Sequence, residues 1–168
     1  MKYTKEVIAI IICTILMNSN WLNAQDTVKH TRTTGIMIDY RVNDSFSRIL
    51  KMFEEAGYGL ELDGTTQTVI VDVYDFTKST KYPNNAAAIA IGTNNDTGIF
   101  IRVNSQIWYY MNANSRDFTL LHELGHDYFN LQHSKDRDNL MYPSLPIRID
   151  SKDVLRAFNQ LVELCRSN

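Results

Sequence analysis

Cysteine is nearly absent from this sequence: Cys13 and Cys165 are the only two in 168 residues. Two thiols cannot build a disulfide framework, so a stapled mini-scaffold is excluded. A surplus of basic charge is also missing. Lys and Arg number 17 against 19 Asp and Glu, for a net charge of −2. Binding to nucleic acid draws on phosphate contacts from a basic surface, and nucleic acid is therefore not an expected partner. No apolar run approaches the ~20 residues that a membrane-spanning helix takes. Internal repeats and low-complexity linkers are lacking too. What is present is an ordinary globular balance, with 44% apolar and 21% charged residues. The length suits one domain.

Residues 1–24 read as a secretory signal. Lys2 and Lys5 precede an eleven-residue apolar run, Val7 to Met17. Leu22-Asn23-Ala24 ends on a small residue, which places cleavage near Ala24-Gln25. An uncleaved anchor and a lipoprotein cut at Cys13 are the alternatives. The second is disfavoured because Ile12 stands where such sites carry a small side chain. The mature chain is then expected to be secreted or to lie in the periplasm or cell envelope, without stable membrane insertion, and Cys165 is its one thiol. Residues 25–34 form a short polar leader that holds His30, and residues 35–168 form the folded domain.

Within that domain, Ile36 to Val42 alternates apolar and polar residues, the pattern of a strand. Asn43-Asp44-Ser45 offers helix caps, and Phe46, Ile49, Leu50 and Phe53 follow at helical spacing until Gly57 and Gly59. Thr68 to Phe76 is a β-branched strand. Ala86 to Gly92 is a small apolar strand, and residues 93–98 are rich in turn formers. Ile99 to Val103 alternates again, and Gln106 to Met111 reads as one more short strand. A longer helix follows, capped by Asn114 or Ser115, with Asp117 in its first turn. Phe118, Leu121 and Gly125 lie on one side of it, and Leu120 and Leu124 on another. Asp150-Ser151-Lys152 opens a last helix whose apolar stripe is Val154, Leu155, Phe158, Leu161, Val162 and Cys165. This order of elements predicts an α/β (α+β) domain with its sheet covered mainly on one side.

The chemistry is concentrated between His122 and Pro143. Residues 121–134 read L-H-E-L-G-H-D-Y-F-N-L-Q-H-S. His122 and His126 are separated by about 400° of helical turn, so both imidazoles leave one face. Two nitrogens so placed can share one Zn²⁺. Glu123, beside the first ligand, can serve a metal-activated water as general base. A catalytic zinc takes a third protein ligand and keeps one open position. His133 is the remaining histidine in reach. Asp136, Asp138 and Glu163 are the competing ligands.

This segment resembles the metzincin clan of zinc endopeptidases, whose motif HExxHxxGxxH is followed by a Met-turn. The likeness is closest to matrixins. Their third histidine is followed by Ser, four variable residues and A-L-M-Y-P. Here His133 and Ser134 precede Asn139-Leu140-Met141-Tyr142-Pro143 at the same distance. The resemblance covers residues 122–143. It departs from the clan at the glycine, where Phe129 stands, and at the third-ligand position, where Gln132 stands. Asn130-Leu131-Gln132-His133 restores the G-x-x-H spacing if the helix runs one residue further and Asn130 adopts the left-handed turn.

The resemblance implies a small catalytic domain with a twisted, mostly parallel sheet and one antiparallel edge strand. An active-site helix and a C-terminal helix complete it. It implies one catalytic Zn²⁺ on His122, His126 and His133, with Met141 as an apolar floor that does not coordinate. It assigns Tyr142 to Leu145 to the specificity pocket, Glu123 to proton transfer, and residues 98–103 to the edge strand that pairs with an extended substrate. The expected protein is a monomeric, secreted zinc metalloendopeptidase acting on a protein or peptide substrate. The alternative is a catalytically silent, zinc-containing binding module. A metal hydrolase with a non-peptide substrate is a third class.

Overall fold

The computed structural model describes residues 36–58, 60, 68–91, 98–146 and 148–167. The segments expected to be a secretory signal and a leader, Gly59 and most of the expected 93–98 turn lie outside the described residues. The elements are β1 (Ile36–Ile38), α1 (Tyr40–Glu55), β2 (Thr68–Tyr74), a 3-10 turn (Phe76–Lys78), β3 (Ala88–Ala90), β4 (Gly98–Asn104), a single helical turn α2 (Ser105–Trp108), α3 (Ala113–Asp127) and α4 (Ser151–Ser167).

Four strands form one sheet in the order β1-β2-β4-β3. β1 and β4 run parallel to β2, whereas β3 pairs antiparallel with β4. This is the expected α+β class with a mostly parallel sheet and one antiparallel edge strand. The expected strand 98–103 is interior, between β2 and β3. On that side the edge strand is the three-residue β3, which is shorter than the predicted Ala86–Gly92, and β1 is the other edge.

The register of β2 on β4 sorts the side chains by face. Val69, Val71 and Val73 stand beside Ile99, Ile101 and Val103; five of them lie in the main core and Val73 packs against it. On that side α1 and α3 pack against each other and against the sheet. On the opposite face Asp72 stands beside Arg102. Arg102 is 7% exposed, and its Nε donates to Asp72 at 2.8 Å and its Nη1 to the Tyr82 hydroxyl at 2.9 Å. Its guanidinium also lies 5.0 Å from the Tyr74 ring centroid. Burying an arginine requires such pairing, so this group closes the second face, against which no helix of the described residues packs.

Three further boundaries differ from the sequence expectation for a local reason. β1 ends at Ile38, because Asp39 caps a helix that already starts at Tyr40. The Asp39 side chain accepts from the Arg41 N–H at 2.9 Å. Val42 then falls in helical phase with Phe46, Ile49 and Phe53, all at most 1% exposed. The helix stops as expected at Gly57, with φ at +77°. Gln106 to Met111 is not a strand. The Asn104 side chain caps a helical turn there, and Trp108 is buried with its indole N–H on the Arg41 carbonyl at 3.1 Å. Phe76 lies in the 3-10 turn capped by Asp75 rather than in β2.

α3 is capped by Asn112, whose Oδ1 accepts from the Ser115 N–H at 2.8 Å, ahead of both expected caps, Asn114 and Ser115. Asp117 therefore falls past the first turn. It is buried and pairs with Arg48 of α1 at 2.8 Å and 3.0 Å. α4 opens on Asp150, whose carboxylate accepts the N–H groups of Lys152 and Asp153. Its buried stripe is Val154, Ala157, Phe158, Leu161 and Val162. Cys165 packs at the core margin, whereas Leu155, expected in the stripe, is 53% exposed. α4 packs on α3 and so backs the helix that carries the histidines. No helix among the described residues is long and apolar enough to cross a membrane.

Candidate metal centre

α3 is buried along most of its length, through Phe118, Leu120, Leu121 and Leu124. His122 and His126 leave it one turn apart, half-buried. Beyond Asp127 the helix closes with the Tyr128 and Phe129 N–H groups on the Leu124 carbonyl. Asn130 then adopts φ +56°, the left-handed conformation expected at this residue. The chain doubles back, and the Leu131 N–H reaches the Gly125 carbonyl at 2.8 Å. This reversal carries His133 to the other two histidines.

The three side chains converge through Nε2. His126 Nε2 lies 3.2 Å from His122 Nε2 and 3.0 Å from His133 Nε2. Among the described residues these are the three whose ligand atoms cluster within 4.8 Å. Asp136, Asp138 and Glu163 do not join them. No protein-family model, curated protein or solved structure matches this chain.

The Nδ1 atoms decide what the cluster can hold. His122 Nδ1 meets the Leu140 carbonyl at 2.7 Å, and His126 Nδ1 meets the Leu131 carbonyl at 2.8 Å. A carbonyl only accepts, so both Nδ1 atoms must carry the proton. Burial pushes the His122 imidazole down to about 4 and lowers that of His126, with the neighbouring histidines adding to both shifts. Both rings are then neutral near pH 7, and their Nε2 lone pairs face each other. Lone pairs at this separation repel unless a proton or a cation sits between them. Ligands at ~2.0–2.1 Å in tetrahedral array sit about 3.3 Å apart, close to the observed spacings. The donor set fits a transition-metal cation that favours imidazole. His133 is exposed, so the cluster opens to solvent on one side.

Glu123 follows His122 but does not join the ligand group. It is 6% exposed, and its carboxylate accepts the backbone N–H of Ala90 in β3. Burial, with a smaller push from Asp127, raises its pKa to about 8. A cation on the triad would lower it again. Asp127 accepts the Phe100 N–H of β4 at 2.6 Å, and burial lifts its pKa to about 6. The two carboxyl groups, one helical turn apart, fasten α3 to the two strands nearest the sheet edge.

Met141 is 3% exposed and lies beneath the helix. A Cβ on Gly125 would fall 2.5 Å from its Sδ, so the absent side chain is what lets the thioether approach between the histidine turns. The turn is shaped by Asn139, whose Oδ1 accepts the Met141 N–H at 2.8 Å. The Met141 carbonyl accepts the Ser134 N–H at 2.8 Å, tying the turn to the segment beside His133. Sequence reasoning missed the Leu131 and Leu140 carbonyls and the part of Gly125. Backbone acceptors leave no trace in residue type. Gly125 was read only as one side of the helix.

Proposed function

We propose that this protein is a secreted, metzincin-like zinc endopeptidase, with His122, His126 and His133 holding one Zn²⁺ and Glu123 as general base. The observation that carries this reading is the meeting of three Nε2 atoms, two of them on rings locked as Nδ1–H by carbonyls. Structural zinc sites close with four protein ligands, commonly cysteines. Here three histidines converge, and one of them faces solvent. When bound, zinc supplies a positive charge that polarises water and the scissile carbonyl.

Glu123 provides the proton traffic. Its carboxylate, oriented by the Ala90 N–H, takes a proton from the attacking water on one oxygen and returns it to the leaving amine. A carboxyl group whose burial raises its proton affinity is suited to both halves of that exchange. The strand that would receive an extended peptide is β3, the sheet edge, rather than β4. The Ala90 N–H on that strand is engaged by Glu123, so it orients the base and is not a donor to the substrate.

The test uses the chain without its secretory segment, as wild type, Glu123→Gln and His133→Ala. Zinc per chain and cleavage of a mixed peptide library are measured together. Wild type and Glu123→Gln should each hold one zinc. Glu123→Gln should cleave about 10²–10⁴-fold more slowly, and His133→Ala should lose the metal. Zinc without cleavage in wild type would shift the reading to the silent binding module. No zinc in wild type would overturn it.

A further inference from the structure

One side chain fastens the Leu140–Met141 turn to the C-terminal helix. Gln160 Oε1 accepts the Leu140 N–H at 2.7 Å, and Gln160 Nε2 donates to the Asp138 carbonyl at 3.1 Å. The carbonyl of the same Leu140 accepts from His122 Nδ1 at 2.7 Å. A single residue of backbone thus separates the Gln160 amide from a histidine ring of the triad. The bonds made by Asn139 and Ser134 shape the turn and join it to its own loop, but they do not reach a helix. Gln160 does, and α4 in turn packs on α3, the helix that bears His122.

We propose that Gln160 is a positioning residue for the metal centre. By gripping both sides of residues 138–140 it holds the Leu140 carbonyl where that oxygen fixes His122 in its Nδ1–H form with Nε2 free. The inference rests on the reading of the triad as a zinc site. An amide is suited to the task because it donates and accepts at once. A carboxylate could keep the Leu140 N–H but would oppose the Asp138 carbonyl. A thioether of similar length could keep neither bond. Partners that orient a ligating histidine change metal affinity by about 10–100-fold when removed.

The experiment compares wild type, Gln160→Met, Gln160→Glu and His122→Ala in the same mature chain. Zinc affinity is read by competition with a chromophoric chelator, at a temperature where circular dichroism shows each protein folded. The ring nitrogens of His122 are followed by ¹⁵N NMR in the metal-free protein. Gln160→Met, which loosens the Leu140 carbonyl without removing it, should bind zinc several-fold more weakly, up to the ~10-fold low end for loss of a histidine's direct partner, and its His122 Nδ1 proton should exchange faster than in wild type. Gln160→Glu should fall between the two. Wild-type affinity and an unchanged His122 tautomer in Gln160→Met, with only a lower melting temperature, would reduce Gln160 to a structural tie and overturn the proposal. Should Gln160→Met not fold, wild-type affinity in Gln160→Glu would overturn it equally. If wild type binds no zinc and His122→Ala changes nothing, the metal reading falls and this inference with it.

Discussion

Glu123 carries the sharpest electrostatic consequence among single residues. Its pKa in the fold is raised from 4.5 to about 8, chiefly by burial. Between those two values the folded protein holds a proton that the unfolded chain has released. In the metal-free protein the contribution of Glu123 to stability is therefore complete below about 4.5 and is lost as pH rises through about 8. His122 works in the opposite sense at lower pH. Its imidazole is lowered from 6.5 to about 4, so its contribution is lost as pH falls through that window. Subtracting a Glu123→Gln variant isolates the glutamate, because the variant keeps the histidines. With chelator present, the melting temperature of wild type relative to Glu123→Gln should decline steadily from pH 5 to pH 8. A constant difference across that range would mean that Glu123 is solvated rather than buried against Ala90. The identities of His122, Glu123 and His126 were legible in the sequence because helical geometry alone puts them on one turn. His133 was legible only with Asn130, the residue able to take the left-handed turn. The carbonyls of Leu131 and Leu140 were not legible, since every residue has one and only the path of the chain decides where it points.

The elements explain which boundaries the sequence could and could not mark. Ile36 to Val42 satisfies a two-residue period and, from Val42 onward, a helical one. The Asp39 cap and burial of Val42 against the core decide for the helix. Gln106 to Met111 is rich in aromatic residues that favour strands. The Asn104 cap and the Trp108 bond to Arg41 override that preference. Where a boundary depends on one conformation, residue type was informative. Asn130, at φ +56°, is the case in point. A β-branched side chain is strained there by about 1–2 kcal/mol, whereas glycine is not. Asn130→Val should lower the free energy of unfolding in urea by that amount and weaken zinc binding, because the reversal that delivers His133 would be disfavoured. Asn130→Gly should retain both properties within a few tenths of a kcal/mol. Equal behaviour of the two variants would show that the helix end is set by packing of Phe129 and Leu131 rather than by the backbone of Asn130.

At the scale of the whole molecule, the centre joins a helix of the core to a loop without regular structure. The sheet and α3 form a continuous buried core through Val69, Val71, Ile99, Ile101, Leu120 and Leu124. The stretch 128–142 contains no helix or strand, and it carries His133, Leu140 and Met141. It is held by backbone bonds to α3, by the burial of Leu140 and Met141, and by Gln160. A cation bound to His122 and His126 of the helix and to His133 of the loop would cross-link the two. Ligand binding at a hundred times the dissociation constant stabilises by about 2.7 kcal/mol, or roughly 10 °C in melting temperature for a domain of this size. The buried core holds no member of the triad, so the larger effect is expected in the loop. Chelation should speed amide hydrogen exchange across residues 128–142 and leave β2 and β4 protected. Uniform loss of protection would instead mean that the sheet cannot stand without the metal. In that case the histidines would complete the fold rather than serve a site placed upon it, and the bond between Glu123 and β3 would be a consequence of metal-driven folding.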